Sequence, residues 1–158
     1  MTRTISNILV PTDFSDPSDA ALNYGRELAR TFGASLHVLH VLDEAEMRGV
    51  VGAGYIGPSP TLARREQLVE QAVRDRLDDL FDESDRRRLN AHVRAVTGGP
   101  VCEILRYTQE QKIDLVVMGT HGRTGIAHLI LGSVAEHVLR KSPCPVLTVH
   151  GPHQELAA

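Results

Sequence analysis

The sequence predicts an α/β fold: a single doubly wound five-stranded parallel sheet with helices on both faces, Rossmann-like in outline. Two observations lead there. Short apolar runs alternate with amphipathic segments along the 158 residues, and glycine, proline or aspartate follows most of the runs. An alternating βαβα order calls for parallel strands joined by helical crossovers, which cover both faces of one sheet. No internal repeat and no low-complexity tract interrupts the pattern.

The first strand ends with Ile8-Leu9-Val10. Asp16 can cap a helix with Pro17 at its first position, and Ala21, Tyr24, Leu28 and Phe32 recur at helical spacing until Gly33 stops it. Ser35 to Leu42 (SLHVLHVL) reads as a second strand buried on both faces. A long loop, 43–60, leads to a charged helix from Thr61 to Phe81. Leu89 to Val96 alternates with period two, as a half-covered or edge strand does. Gly98-Gly99-Pro100 turns the chain into a helix carrying Val101, Ile104, Leu105 and Thr108. Asp114 to Gly119 forms a fourth strand, Ser133 to Lys141 a further helix, and Pro145 to Val149 a fifth strand. Residues 1–150 thus read as one domain and 151–158 as a tail.

Composition narrows the function classes. Hydrophobic content of 42%, charged content of 23% and a net charge of −3 suit a soluble globular protein, with no broad basic surface for nucleic acid or anionic lipid. No stretch approaches the ~18 apolar residues of a membrane span, so membrane insertion is not expected. The start, MTRTISNILVPTD, lacks an apolar signal core, and a cytoplasmic location is expected. Cys102 and Cys144 belong to no C-x-x-C pair and are read as reduced, buried thiols.

Gly52, Gly54 and Gly57 stand at the G-x-G-x-x-G spacing of dinucleotide-binding enzymes. That fingerprint needs a strand just before it and a helix N-terminus just after. Here DEAEMRG precedes and GPSP follows, in the second crossover rather than the first. A dinucleotide-dependent oxidoreductase is therefore the weakest of three functional readings.

Ligands of doubly wound sheets sit beyond the carboxyl ends of the strands, where the winding reverses. The residues there are PTD (Pro11, Thr12, Asp13), VLDE (from Val41) and GTHGRTG. Gly119, Gly122 and Gly132-Ser133 are spaced as Gly, two residues, Gly, nine residues, Gly-Ser. At Gly119 a missing side chain lets a base or ribose lie against the backbone. Gly132-Ser133 opens a helix whose free N–H groups and dipole favour phosphate. Ser133 adds a hydroxyl, and Arg123 a permanent charge in a fork suited to phosphate oxygens. The plainer alternatives are turn glycines, a helix cap at Ser133, a solvated loop cation at Arg123 and a turn carboxylate at Asp13. His37 and His40 lie three apart on a strand and face opposite sides, so they do not form a metal pair. No metal site is expected.

Through ILVPTDFSD, HVLHV, GTHGRTG, GSVAEHVLR and SPCPVLTV the sequence resembles the universal stress protein family. The likeness covers most of the chain outside residues 43–88, and the glycine spacing resembles that of the ATP-binding branch. The resemblance implies an adenine-nucleotide α-hydrolase-like fold with sheet order 3-2-1-4-5, which sets PTD beside GTHG. It implies Pro11, Thr12, Asp13 and Val41 as adenine and ribose contacts, with Met118 and Gly119 flanking the nucleoside. Gly122, Arg123, Gly132, Ser133 and Val134 would cradle phosphates, with His121 beside them. The implied cofactor is ATP, with or without magnesium.

The sequence has no G-x-x-x-x-G-K-[ST] loop, and only Asp13 and His121 stand near enough to serve as a base. The leading reading is thus a cytosolic, stress-responsive regulatory protein in which nucleotide occupancy sets conformation or choice of a regulatory partner. A slow ATPase using the same pocket is second. Loop 43–60, long and rich in glycine, is expected to be mobile and to close over the pocket. The fifth strand lacks charge, whereas the third carries His92 and Arg94, so a homodimer through strand 145–149 is expected. The resemblance implies the same pairing.

Overall fold

The structure, a computed structural model, describes residues 4–43, 62–121 and 131–151. GAGYIG, Gly122, Arg123, His128 and all of the 43–60 loop after Asp43 lie outside these residues. The elements run β1 (Asn7–Pro11), α1 (Asp16–Phe32), β2 (Ser35–Leu42), α2 (Leu62–Asp78), α3 (Glu83–Arg88), β3 (His92–Thr97), α4 (Pro100–Glu110), β4 (Leu115–Gly119), α5 (Ser133–Lys141) and β5 (Val146–Val149). The five strands form one parallel sheet in the order β3-β2-β1-β4-β5. The winding direction reverses between β1 and β4.

The three central strands, β1, β2 and β4, bury both faces, with alternate residues going to opposite layers. Ile8, Val10, Leu36, Val38 and Val117 pack with Ala21, Leu22, Val69 and Val73 under α1 and α2. Leu9, Leu39, Val41, Val116 and Met118 pack with Ile104, Tyr107, Ala135 and Val138 under α4 and α5.

Helix α1 departs from its expected details. Its N-cap is Ser15, one residue before Asp16, and its buried residues are Ser18, Ala21, Leu22, Gly25 and Ala29. Tyr24 and Phe32 are 57% and 47% exposed. The helix uses its small side chains because it lies close against β1: a Cβ added at Gly25 would stand 2.5 Å from Val10 Cγ2. Gly33, at φ 64°, ends the helix as expected. Gly25→Ala is therefore expected to cost about 1 kcal/mol net in urea unfolding, because overpacking of ~1–3 kcal/mol outweighs the ~1 kcal/mol helix-propensity gain. Removing Cγ2 with Val10→Ala in the same chain should shrink the Gly25→Ala penalty.

Other boundaries shift as well. The charged helix ends at Asp78 rather than Phe81. A short helix not foreseen, α3, follows, with the Asp82 side chain accepting the Asp85 N–H at its start. β3 begins at His92 because Leu89 to Ala91 close that helix turn. Asp114 lies outside β4, and its carboxylate accepts the N–H groups of Ser6 and Asn7 (2.8 and 3.0 Å), tying β4 to the entry of β1. Both cysteines are free thiols, but neither is buried: Cys102 is exposed and Cys144 partly so. Cys102 sits in the first turn of α4, whose inward residues are Ile104, Tyr107 and Thr108.

Candidate functional site

A cleft of about 230 Å³ opens at the carboxyl ends of the strands, where the winding reverses. Pro11, Thr12 and Asp13 reach it from β1, Val41 and Asp43 from β2, and Met118, Gly119, Thr120 and His121 from β4. Gly132, Ser133, Val134 and Ala135 close it with the first turn of α5, and Pro100 and Ile104 with the start of α4. Every site residue expected from the sequence that the structure describes thus lines one cavity. Asp43 and Thr120 belong to the VLDE and GTHGRTG stretches without having been singled out, whereas Ser18, Leu39, Pro100, Ile104 and Ala135 were not anticipated. Pro100 and Ile104 follow β3, whose carboxyl end the sequence reading did not search.

The β1–α1 turn is built from its own side chains. Asp13 Oδ1 accepts the Ser15 N–H at 3.1 Å and the Ser15 hydroxyl at 2.5 Å, an Asx turn. The turn carboxylate that the sequence left as an alternative is therefore present, on a residue that also lines the cleft. Thr12 Oγ1 accepts the Phe14 N–H (3.1 Å) and lies 3.1 Å from Ser18 Oγ. Ser18 donates its only hydroxyl proton to Ser15 O (2.8 Å), so Thr12 is the donor to Ser18.

Gly119 has a different reason for being glycine than a ligand lying against it. A Cβ there would stand 2.8 Å from the carbonyl carbon and 2.9 Å from the oxygen of Pro17. The bare side faces the start of α1, and Gly119 meets the cleft with its backbone. Across the cleft Gly132, not Ser133, is the N-cap of α5, with φ −69° and ψ 156°. Ser133 is the first helical residue and is exposed. Gly132 N–H donates to Thr120 O at 2.6 Å, which holds the helix start beside the end of β4. Thr120 Oγ1 lies 3.1 Å from His121 Nδ1 and 3.4 Å from His150 Nδ1. Among the described residues no group of three or more His, Cys, Asp or Glu is placed to hold a metal ion, and no helix is long and apolar enough to cross a membrane.

The cavity, the sheet order and the glycine-started α5 together are the architecture that the sequence motifs imply. The family model of the universal stress proteins matches residues 4–150. The chain belongs to the universal stress protein family. Universal stress protein MJ0531 of Methanocaldococcus jannaschii is 31% identical over 148 residues, covering 94% of this chain and 84% of that protein. MJ0577 of the same organism is 29% identical, covering 94% and 97%.

Among solved structures, MJ0577 superposes with a TM-score of 0.69 at 28% identity, over 96% of this chain and 99% of that one. A universal stress protein in complex with cAMP gives 0.57 at 25% identity, over 94% and 98%. These likenesses agree with the Rossmann-like sheet. In this universal stress protein the β1 turn and the start of α5 line one cleft.

Proposed function

We propose that this universal stress protein is a cytosolic regulatory protein that binds an adenine nucleotide, ATP with or without magnesium, in the cleft at the switch point. The observation that carries the reading is the pairing of its walls: a carboxylate-bearing turn at Thr12-Asp13 and a helix N-terminus at Gly132-Ser133. The carboxylate suits ribose or adenine donors, and free N–H groups with the helix dipole suit phosphate. A relative of the same fold in complex with cAMP supports an adenine ligand. Gly122 and Arg123, from the same glycine motif, are assigned to the phosphates with Ser133 and Val134. Val41, Met118 and Gly119 are assigned to the nucleoside.

The test is to denature the purified protein, identify released nucleotide by mass spectrometry, and follow melting of the emptied protein with added ATP. At ~100 times Kd the stabilisation is about 2.7 kcal/mol, several degrees for a chain of this size. Ser133→Ala should weaken binding by about 1–2 kcal/mol, since the helix N–H groups remain. An unchanged melting curve at millimolar ATP overturns the reading. Turnover slower than about one per minute is expected, because the sequence has no P-loop lysine.

The reading includes a homodimer through the free edge of β5. Pro145 O and Val149 O both accept N–H groups from the β4 side. In a strand the N–H and C=O of one residue point the same way and alternate along the chain, so Val146 and Thr148 point outward. Thr148→Pro is expected to abolish the dimer in light scattering while the fold persists, whereas Leu147→Pro should damage the sheet. A monomeric wild type at micromolar concentration ends the proposal.

A further inference from the structure

We propose that His40 is a positioning residue for the nucleotide: its donation to the Thr12 carbonyl, together with its ring contact to Phe14, fixes the turn that presents Asp13 to the cleft. The inference rests on the nucleotide reading of that cleft.

His40 is 1% exposed, in the middle of the sheet. Its Nδ1 lies 2.7 Å from Thr12 O. A carbonyl oxygen only accepts, so Nδ1 carries the proton. Past Pro11 the backbone ladder continues with Thr12 N–H to Leu39 O (2.9 Å), and the imidazole takes the carbonyl of the same residue. The Thr12–Asp13 peptide is therefore held by a side chain where the chain leaves the sheet.

The other side of Asp13 is held by the same imidazole. The Phe14 ring lies 4.7 Å from the His40 ring, and the Arg76 guanidinium of α2 stands 4.1 Å from the centre of the same Phe14 ring. Phe14 needs this support, since its φ is 61°, a left-handed conformation unusual for an aromatic residue. Such strain persists where the surroundings over-determine it, and it gathers at ligand sites. His40 thus grips the residues before and after Asp13, and Arg76 links that grip to α2.

The proposal predicts a split between binding and folding. Asparagine keeps a donor near the place of Nδ1, and leucine removes it. In ATP titrations with nucleotide-free protein, His40→Leu should weaken binding about tenfold while still melting cooperatively, and His40→Asn should stay within about threefold of wild type. A folded His40→Leu that binds like wild type, or a folded His40→Asn as weak as the leucine variant, overturns the proposal. Should His40→Leu not fold, the wild-type imidazole decides by NMR: a slowly exchanging Nδ1 proton that shifts on ATP addition is expected, and one indifferent to ATP overturns the role. Wild-type protein that binds no ATP is a separate outcome, which removes the nucleotide reading and this inference with it.

Discussion

Lowering the pH from 7 to 4.5 is expected to remove about 2 kcal/mol of folding stability through one side chain, His37. His37 is 5% exposed, its Nδ1 lies 3.0 Å from the Tyr107 hydroxyl, and its Nε2 has no partner among the described residues. Its ring stacks on His92 at 4.6 Å between centroids. Burial, and then the neighbouring His92, lower its pKa from 6.5 to about 4. Burial also raises the Tyr107 pKa, against a smaller opposite effect of Arg94, so the hydroxyl stays protonated throughout this range.

The sign follows from which state binds the proton. Between pH 6.5 and about 4 the unfolded chain protonates this imidazole and the folded chain does not. The contribution of His37 is therefore fully present above 6.5 and is lost progressively as the pH falls towards 4. Urea unfolding of wild type and His37→Gln at both pH values measures it. The variant should lose about 2 kcal/mol less than wild type across the interval, and equal losses would assign the acid sensitivity elsewhere.

Gly119→Ala is expected to cost about 1–3 kcal/mol of stability and to weaken the proposed nucleotide binding at the same time. The new methyl would meet the Pro17 backbone at 2.8–2.9 Å. Backbone atoms at a helix start cannot swing aside as a long side chain can, so α1 and the Asp13–Ser15 turn must move together. Gly119 does not have a left-handed φ, so the clash alone acts. Denaturant midpoints and ATP titration of the same preparation check the two effects. A variant as stable as wild type would show that α1 yields without penalty.

Much of the architecture was legible because buried parallel strands are short apolar runs bounded by turn residues. β2 matches its expected span residue for residue, and so does α5. The misses have physical causes. Helix α3, ESDRRR, has no apolar residue to show periodicity, although the Asp at its cap and a second Asp three residues on were visible signals. In α1 Ala21 is buried as expected, but the large side chains Tyr24 and Phe32 also suggested the inner face, where close packing selected Leu22, Gly25 and Ala29 instead. The described part of the cleft lining was legible as a set of residues, because the switch point and the glycine spacing are both sequence features. Their individual reasons were not: Gly119 answers to Pro17, and Asp13 closes its own turn. The two strand histidines were rightly placed on opposite faces, but their partners, Tyr107 and the Thr12 carbonyl, come from distant or bent chain.

The strand order also sets a timetable for synthesis. β1 lies at the centre of the sheet but pairs with β4 through Ile8 and Leu115, and Pro17 of α1 rests against Gly119 and Gly151. A ribosome delivers β1, β2 and β3 as a possible three-stranded unit long before β4 exists. Until then one side of β1 is an unpaired apolar edge, and α1 lacks part of the surface it covers. Distant pairings of this kind are slow to form and expose the chain to association while they wait. The two walls of the cleft come from opposite halves of the chain, so the cavity exists only after the last crossover has docked. A nascent chain has no cleft to offer the proposed nucleotide until its last strand is in place.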